Sequence, residues 1–327
     1  MRYLDDSHIR RMDIKWWELI HTIEKVAYSL ENLEYAQPLK PYLRFGDSKN
    51  RIIAMPAYVG NDIHAAGIKW ISSFPDNINN GIKRAHSITI LNDPDTGEPL
   101  TVMNTPEVSI IRTAAVTGTM LKHYLLVRKL KNVTVGIIGL GPVGEAHYKL
   151  IRDMFGHTVE RVLAYDLMEE RLNGFIQKYN QHEDLFIRKV EGWNEIICES
   201  DIVITCTVAA NPYIDLPPKI GSLQLNISLR DYKSTIFPYV RNGIVVDSWQ
   251  EVCREGTNIQ QFSVSNGLKE EHVMTLMDVI NKQSLTKLLL TDVVMFNPMG
   301  MAVFDIAIGK LLYEKAEHDQ IGIQLNS

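Results

Sequence analysis

The most specific chemistry in this sequence lies in the stretch Val133-Thr134-Val135-Gly136-Ile137-Ile138-Gly139-Leu140-Gly141-Pro142-Val143-Gly144. Gly139, Gly141 and Gly144 form a Gly-x-Gly-x-x-Gly turn behind an apolar strand and ahead of a helix. In such a turn the first glycine permits the bend, the second lets the backbone approach a pyrophosphate, and the third lets helix and strand pack closely. The helix start adds free N–H groups and the positive end of its dipole. Pro142 falls where an N–H has no intrahelical partner to lose. A second strand ends at Tyr165-Asp166, where a carboxylate accepts hydrogen bonds from ribose hydroxyls and repels a 2′-phosphate. The pattern predicts a dinucleotide site that favours NAD, with Arg171 close enough in sequence to moderate the preference.

A second set of residues carries charge into apolar surroundings. Lys40 and Arg44 share one expected strand, Lys69 sits in Gly67-Ile68-Lys69-Trp70, Arg84 in a turn, and Arg112 inside an apolar helix. Cations are rarely buried without anionic partners, so Lys69 and Arg112 are expected to face a cleft. Arginine grips carboxylates bidentately, and a lysine in low dielectric can be tuned to lose its proton, so a carboxylate-rich substrate is expected. Asn226-Ile227-Ser228-Leu229-Arg230-Asp231 follows a strand at the edge where open α/β sheets hold ligands. Asp231 is there a candidate general base or orienter of a substrate amine. Thr205, Cys206 and Thr207 end another strand at that edge, and nothing near Cys206 marks it as an activated thiol. His64, His86, His123 and His147 have no metal-ligand spacing, so no metal is expected.

The elements that must position these residues fall into two textures. Residues 13–30 place Trp16, Leu19, Ile20, Ile23, Val26, Ala27 and Leu30 on one helical face. Expected strands follow at 37–45, 51–59, 66–72, 87–92 and 100–103, with a hairpin turn at Asp95-Thr96-Gly97, giving a sheet with helices on one side. Thr105-Pro106-Glu107 starts a helix running to about Tyr124. Beyond it, apolar runs at 133–138, 162–165, 202–207, 223–227, 244–246 and 293–296 alternate with helices, the mark of a buried parallel sheet. The helix after Gly144 is expected to end with Gly156 as a left-handed cap. The expected fold class is α/β. It combines a Rossmann-type doubly wound parallel sheet over 116–299 with an α+β substrate-binding and dimerisation domain over 1–115. That domain is completed by a C-terminal helix within about 300–327.

Composition narrows the function classes. The 327 residues carry 34 Lys+Arg against 39 Asp+Glu, a formal charge of -5, which supplies no general footprint for nucleic acid. No apolar run approaches the roughly 20 residues of a membrane helix. The first residues, Met1-Arg2-Tyr3-Leu4-Asp5-Asp6, offer no apolar signal segment, and Cys198, Cys206 and Cys253 form no CxxC pair, so a cytoplasmic protein is expected.

Taken in order, these motifs bring a family into view. Arg44, Met55-Pro56, Gly67-Ile68-Lys69-Trp70, Leu91-Asn92-Asp93-Pro94-Asp95-Thr96-Gly97, Arg112-Thr113-Ala114-Ala115, the glycine turn and Asn226 to Asp231 resemble the ornithine cyclodeaminase/μ-crystallin family over nearly the whole chain. One branch is closer, the NAD-dependent N-(2-amino-2-carboxyethyl)-L-glutamate dehydrogenases, which supply L-2,3-diaminopropionate for siderophores and peptide antibiotics. Its marks here are Gln37-Pro38-Leu39-Lys40-Pro41-Tyr42-Leu43-Arg44, Arg51-Ile52-Ile53-Ala54-Met55-Pro56, Val246-Asp247-Ser248-Trp249 and Asn297-Pro298-Met299-Gly300-Met301-Ala302.

The resemblance implies that Arg44, Lys69 and Arg112 hold substrate carboxylates; Arg84, Met55 and Asn297 are further candidate substrate contacts. It implies proton transfer by Lys69 and catalysis by Asp231. It also implies cofactor contacts from Arg112, Gly139, Gly141, Pro142, Val143, Gly144, Asp166, Thr205, Cys206, Thr207, Asn226, Ile227 and Ser228, and a homodimer built through the first domain. Two departures point away from ornithine cyclisation and toward a more anionic substrate. Val143 stands where cyclodeaminases commonly carry Gln, and Arg84 stands in place of a cofactor-contacting threonine. The alternatives are an ammonia-releasing cyclodeaminase, a ketimine or imino-acid reductase, and a non-catalytic dinucleotide-binding protein like some crystallin relatives.

Overall fold

Two sheets, each with its own core, organise the chain in a computed structural model that describes residues 1–47, 49–180 and 185–326. The backbone divides into one unit of Met1–Thr113 with Gly300–Ser327, and a second of Ala114–Met299.

In the first unit the strands are β1 (Arg2–Asp5), β2 (Tyr35–Ala36), β3 (Tyr42–Leu43), β4 (Arg51–Val59), β5 (Ala65–Ser73), β6 (Ala85–Asn92) and β7 (Pro99–Asn104), with a short strand at Ile323–Gln324 antiparallel to β1. Strands β4 to β7 form an antiparallel meander, and β2 and β3 both pair with β4. The period-two pattern turns Met55, Ala57 and Val59 of β4, and Ser87, Thr89 and Leu91 of β6, into the core. A helix over Trp16–Glu31 buries Leu19, Ile20, Ile23, Val26, Ala27 and Leu30. It packs against the C-terminal helix Ala302–His318, which also lies on β4, β5 and β6.

Two features depart from the local reading. The strand expected over 37–45 contracts to the two residues of β3, because Pro38 and Pro41 remove ladder donors. Conversely, β1 forms at a stretch with no strand pattern. It lies parallel to β7, with Leu4 opposite Met103, and Thr101 Oγ1 donates to the Arg2 carbonyl at 2.8 Å. Partners about a hundred positions away leave no local trace.

The second unit contains β8 (Val133–Ile138), β9 (Val159–Tyr165), β10 (Phe186–Lys189), β11 (Ile202–Thr205), β12 (Leu223–Asn226), β13 (Ile244–Val246), β14 (Met274–Thr275) and β15 (Val294–Asn297). All pair parallel, in the order β10-β9-β8-β11-β12-β15-β13-β14. Every residue of β8, β11, β12, β13 and β15 is buried, as strands covered on both faces require. This is a doubly wound α/β sheet, and its winding reverses between β8 and β11, the switch point where such sheets hold ligands. Among the described residues, no helix is long and apolar enough to cross a membrane.

Gly156 is not a left-handed cap. Its φ is -52°, and the helix Pro142–Leu150 runs on through a π-helical turn, Ile151–Phe155. A Cβ at Gly156 would stand 2.6 Å from the Arg152 carbonyl, so the glycine serves close packing of that wide turn. The third motif glycine shows the same constraint more sharply, since a Cβ on Gly144 would fall 2.0 Å from the carbonyl oxygen of Gly139. Backbone meets backbone there, so no rotamer change relieves it. Gly144→Ala is therefore expected to cost about 1–3 kcal/mol. Thermal unfolding followed by circular dichroism should show the midpoint lowered by roughly 2–4 °C per kcal/mol.

Candidate active site

The second unit presents the glycine turn at the end of β8. Gly139 has φ +95°, and a Cβ on it would meet the Cys206 carbonyl at 2.6 Å, so only glycine lets β8 and the end of β11 approach this closely. Gly141 differs, because a Cβ there would stand in open space at the mouth of the turn. The helix that follows closes its first bond from the Glu145 N–H to the Gly141 carbonyl at 2.9 Å. The N–H groups of the preceding turn therefore lie beyond the ladder, at the positive end of the helix. Asp166 is buried behind the turn. Its Oδ2 accepts the Leu140 N–H at 2.8 Å, its Oδ1 accepts the Met168 N–H at 2.9 Å, and Arg171 Nη1 stands 3.4 Å away. The carboxylate thus braces the loop and the start of the next helix while keeping acceptor capacity. An open glycine cradle, a helix terminus and this acid fit a dinucleotide.

Around the ends of β11 and β12 the side chains bind mainly one another. Asp231 is fully buried, takes a hydrogen bond from Thr207 Oγ1 at 2.6 Å, and lies in short contact with Ser228 Oγ. Burial raises its pKa above the ordinary carboxylate range, and the hydroxyl partners Ser228 and Thr207 only partly offset that. Cys206 is pushed well up by burial and by the Asp231 charge, which makes it a thiol and a packing residue. Asn226 spends its amide internally, with Nδ2 donating to Asn297 Oδ1 at 2.7 Å and Asn258 Oδ1 at 3.0 Å, and Oδ1 accepting from the Leu229 N–H at 3.1 Å. Asn297 is fully buried in that network and donates onward to the Met295 carbonyl at 3.1 Å. The side chains of Asn226 and Asn297 therefore hold β12 to its neighbours, a packing role that motif position alone did not reveal. Ile227 and the neighbouring Ser228 carry the turn beyond β12.

The first unit presents the cations. Lys69, on β5, is opposite Met55 on β4 and Thr89 on β6. Its Nζ forms an ion pair with Asp305 Oδ2 at 2.9 Å, and Arg112 Nε donates to Asp305 Oδ1 at 2.8 Å. All three side chains are buried, Asp305 completely. Gly300, with φ +85°, lets the backbone pass the guanidinium, since a Cβ there would meet Arg112 Nη1 at 2.6 Å. Lys69 is lowered from its usual 10.5 to about 7, and burial is the largest cause. Asp305 pulls it back up, while Arg112 and Lys40 push it further down. For Asp305, burial acts upward, but the charges of Arg112 and Lys69 prevail and hold its carboxyl below the ordinary range. The outcome is a lysine able to give and take a proton near neutrality. Arg44 lies apart on the surface, its guanidinium 5.3 Å from the centre of the Tyr42 ring, with Arg51 5.8 Å from the same ring. Arg84 is half-buried beside the Arg51 charge.

Sequence reasoning missed Asp305. The signal was present, because an acid inside Val303-Phe304-Asp305-Ile306-Ala307-Ile308 is as anomalous as Arg112 in its own apolar helix. Among the described residues, no group of three or more His, Cys, Asp or Glu side chains is placed to hold a metal ion.

With a doubly wound sheet, a glycine cradle and a buried Lys–Asp–Arg cluster in one chain, comparison with known proteins becomes informative. The model of the ornithine cyclodeaminase/mu-crystallin family matches residues 10–216, and the chain belongs to that family. It is 34% identical over 306 residues to the N-((2S)-2-amino-2-carboxyethyl)-L-glutamate dehydrogenase of Staphylococcus aureus, covering 90% of this chain and 88% of that one. It is 28% identical to a Delta(1)-pyrroline-2-carboxylate reductase of Bacillus cereus, covering 93% and 95% of the two chains. Among solved structures, the Delta(1)-pyrroline-2-carboxylate reductase of Thermococcus litoralis, in complex with NADH and L-proline, superposes with a TM-score of 0.88 at 24% identity, over 99% of this chain and 100% of that one. That likeness establishes the shared fold.

The cluster makes a pH prediction. Asp305→Asn removes the one negative charge that favours the Lys69 ammonium, so the lysine pKa falls below its present value. The apparent pKa of kcat/KM assigned to this group is expected to move down by about 1–3 pH units, and Asp305→Glu to recover most of the shift. An unchanged profile in the Asn variant would remove Lys69 from the proton-transfer step.

Proposed function

We propose that the protein is an NAD-dependent oxidoreductase acting on the CH–NH group of an amino-acid substrate. Its substrate is N-(2-amino-2-carboxyethyl)-L-glutamate, and its products are L-2,3-diaminopropionate, 2-oxoglutarate and NADH. The observation that carries this reading is the buried lysine near neutral pKa beside a buried arginine, in a chain whose other unit bears a dinucleotide cradle. The S. aureus relative supports the substrate, and Asp166 supports NAD over NADP.

In this reading Gly139 to Gly144 and Asp166 of the second unit would hold NAD, which would supply the hydride acceptor for oxidation at the glutamyl Cα. The guanidinium of Arg112, fixed by Asp305, binds the adjacent carboxylate, leaving Lys69 to take the amine proton as the C=N bond forms. Water then adds to the imine carbon, and collapse of the carbinolamine breaks the C–N bond, releasing the amine and the 2-oxo acid. Asp231, kept protonated more readily than an ordinary carboxyl, moves protons during water addition and collapse. Holding the reactants in register contributes several kcal/mol, roughly 7–11 at the ideal limit.

A second reading is supported by the B. cereus relative, namely reduction of a cyclic imino acid to its amino acid by the same hydride chemistry in reverse. The deciding measurement follows absorbance at 340 nm with NAD and N-(2-amino-2-carboxyethyl)-L-glutamate, with 2-oxoglutarate assayed in parallel. Stoichiometric NADH and 2-oxoglutarate are expected. Oxidation of NADH or NADPH by Delta(1)-pyrroline-2-carboxylate, without the first reaction, would establish the reductase instead. Proline formed from ornithine with no net NADH would make the protein a cyclodeaminase.

We also infer association of two copies through the first unit. Trp70 and Ile88 face one another across β5 and β6 and are 40% and 36% exposed, on the sheet face opposite Lys69. Light scattering should give twice the chain mass, and Trp70→Lys should shift the protein toward monomer.

A further inference from the structure

The turn that carries Asp231 is held in a conformation that its residues do not choose locally. Leu229, just ahead of Arg230 and Asp231, has φ +67°, a left-handed backbone that a leucine adopts only at a cost. Its side chain is buried in the core of the second unit. An outlier of this kind persists only where its surroundings over-determine it, and such outliers cluster at functional sites.

One segment supplies much of that restraint. Asn258 opens the helix Asn258–Asn266 and is 1% exposed. Its N–H donates to the Leu229 carbonyl at 2.7 Å. Its side chain then reaches the far side of Asp231, where Nδ2 donates to the Tyr232 carbonyl. Oδ1 accepts the Tyr232 N–H at 3.4 Å and Asn226 Nδ2 at 3.0 Å. Glu255 of the same segment offers its carbonyl to Arg230, which donates from Nε at 3.2 Å and from Nη2 at 2.9 Å. The backbone on each side of Asp231 is thus bonded to one asparagine. The helix itself does not need this amide, because Thr257 is its cap and accepts the Gln260 N–H at 3.2 Å.

We propose that Asn258 is a positioning residue, which fixes the strained turn from Leu229 to Tyr232 so that the Asp231 carboxyl is set against Thr207 and Ser228. It acts on the reaction only through that carboxyl. The inference deepens the function proposed above and rests on its assignment of Asp231 as a proton carrier. A proton carrier works only within hydrogen-bond reach of its partner, and an aspartate side chain is short, so its backbone decides where the carboxyl goes. The N–H groups of Tyr213 and Ile214 hold the Asp231 carbonyl at 2.8 and 2.9 Å, and Asn258 holds the peptides around it. Without the Asn258 amide the Tyr232 groups lose their partner, Leu229 relaxes out of its left-handed backbone, and the carboxyl moves off its hydroxyl partners toward water.

The test compares the full-length wild type with Asn258→Ala, the milder Asn258→Ser, Asp231→Asn and the Asn258→Ala/Asp231→Asn double variant, each checked for folding by circular dichroism. In the 340 nm assay of the proposed reaction, Asn258→Ala is expected to lower kcat about 10–100-fold while KM stays within about twofold. The serine hydroxyl can serve one of the Tyr232 groups, so Asn258→Ser should lose less, about 3–10-fold. In the Asp231→Asn background, Asn258→Ala should cost less than about twofold, because residues that act as a unit are not additive. A second readout needs no turnover. The carbon-13 carboxyl signal of Asp231, identified by its absence in Asp231→Asn, is followed against pH. Asn258→Ala should lower its midpoint toward that of ordinary carboxylates, since burial outweighs the hydroxyl bonds around it. An unmoved midpoint, or an equal kcat loss in both backgrounds, would overturn the assignment. If Asn258→Ala does not fold, Asn258→Ser decides by the same two readouts. A moved midpoint in a protein that forms no NADH, or whose Asp231→Asn variant is fully active, would keep Asn258 as the residue that positions Asp231 and refute the function proposed for that acid.

Discussion

A single fully buried carboxylate, Asp305, sets the chemistry of the first unit. Burying Lys69 and Arg112 side by side would be prohibitive without it, since two like charges in a low dielectric repel and each has left water. Asp305 meets both at hydrogen-bonding distance, and the three groups lock β5, the helix beginning at Glu107 and the C-terminal helix to one another. The compensation is incomplete. One anion faces two cations, with Lys40 adding a third charge at longer range, and the excess falls on the lysine because a guanidinium does not release its proton. A lysine near neutrality is thus a consequence of charge counting in a dry core.

The second unit works by a different means. Its cradle is shaped by backbone contacts that exclude any side chain at Gly139 and Gly144, and by a carboxylate at Asp166 that braces the loop. Asp231 is surrounded by hydroxyls and raised by burial, so the two candidate proton carriers are tuned in opposite directions, the lysine down and the acid up.

Local patterns made much of this readable. The glycine turn announces itself because the conformational demands of a strand–turn–helix fall within twelve consecutive residues, and the parallel strands appear as apolar runs because both their faces are covered. Arg112 and Lys69 stood out as charges in apolar settings. Asp305 offers the same signal, an acid inside an apolar helix. Asn226 and Asn297 stand at strand ends, and the hydrogen-bond partners of their side chains lie far along the chain, where no local pattern shows them.

What the sequence by itself determined is therefore the set of local structures: a dinucleotide turn, a wound parallel sheet, an amphipathic helix over a meander, and membership of a family. What only the tertiary structure decided is partnership. Residues 69, 112 and 305 are separated by scores of positions, and β1 finds β7 about a hundred residues away. The physical reason is that conformational preference acts between neighbours in the chain, whereas burial, charge compensation and pKa depend on neighbours in space.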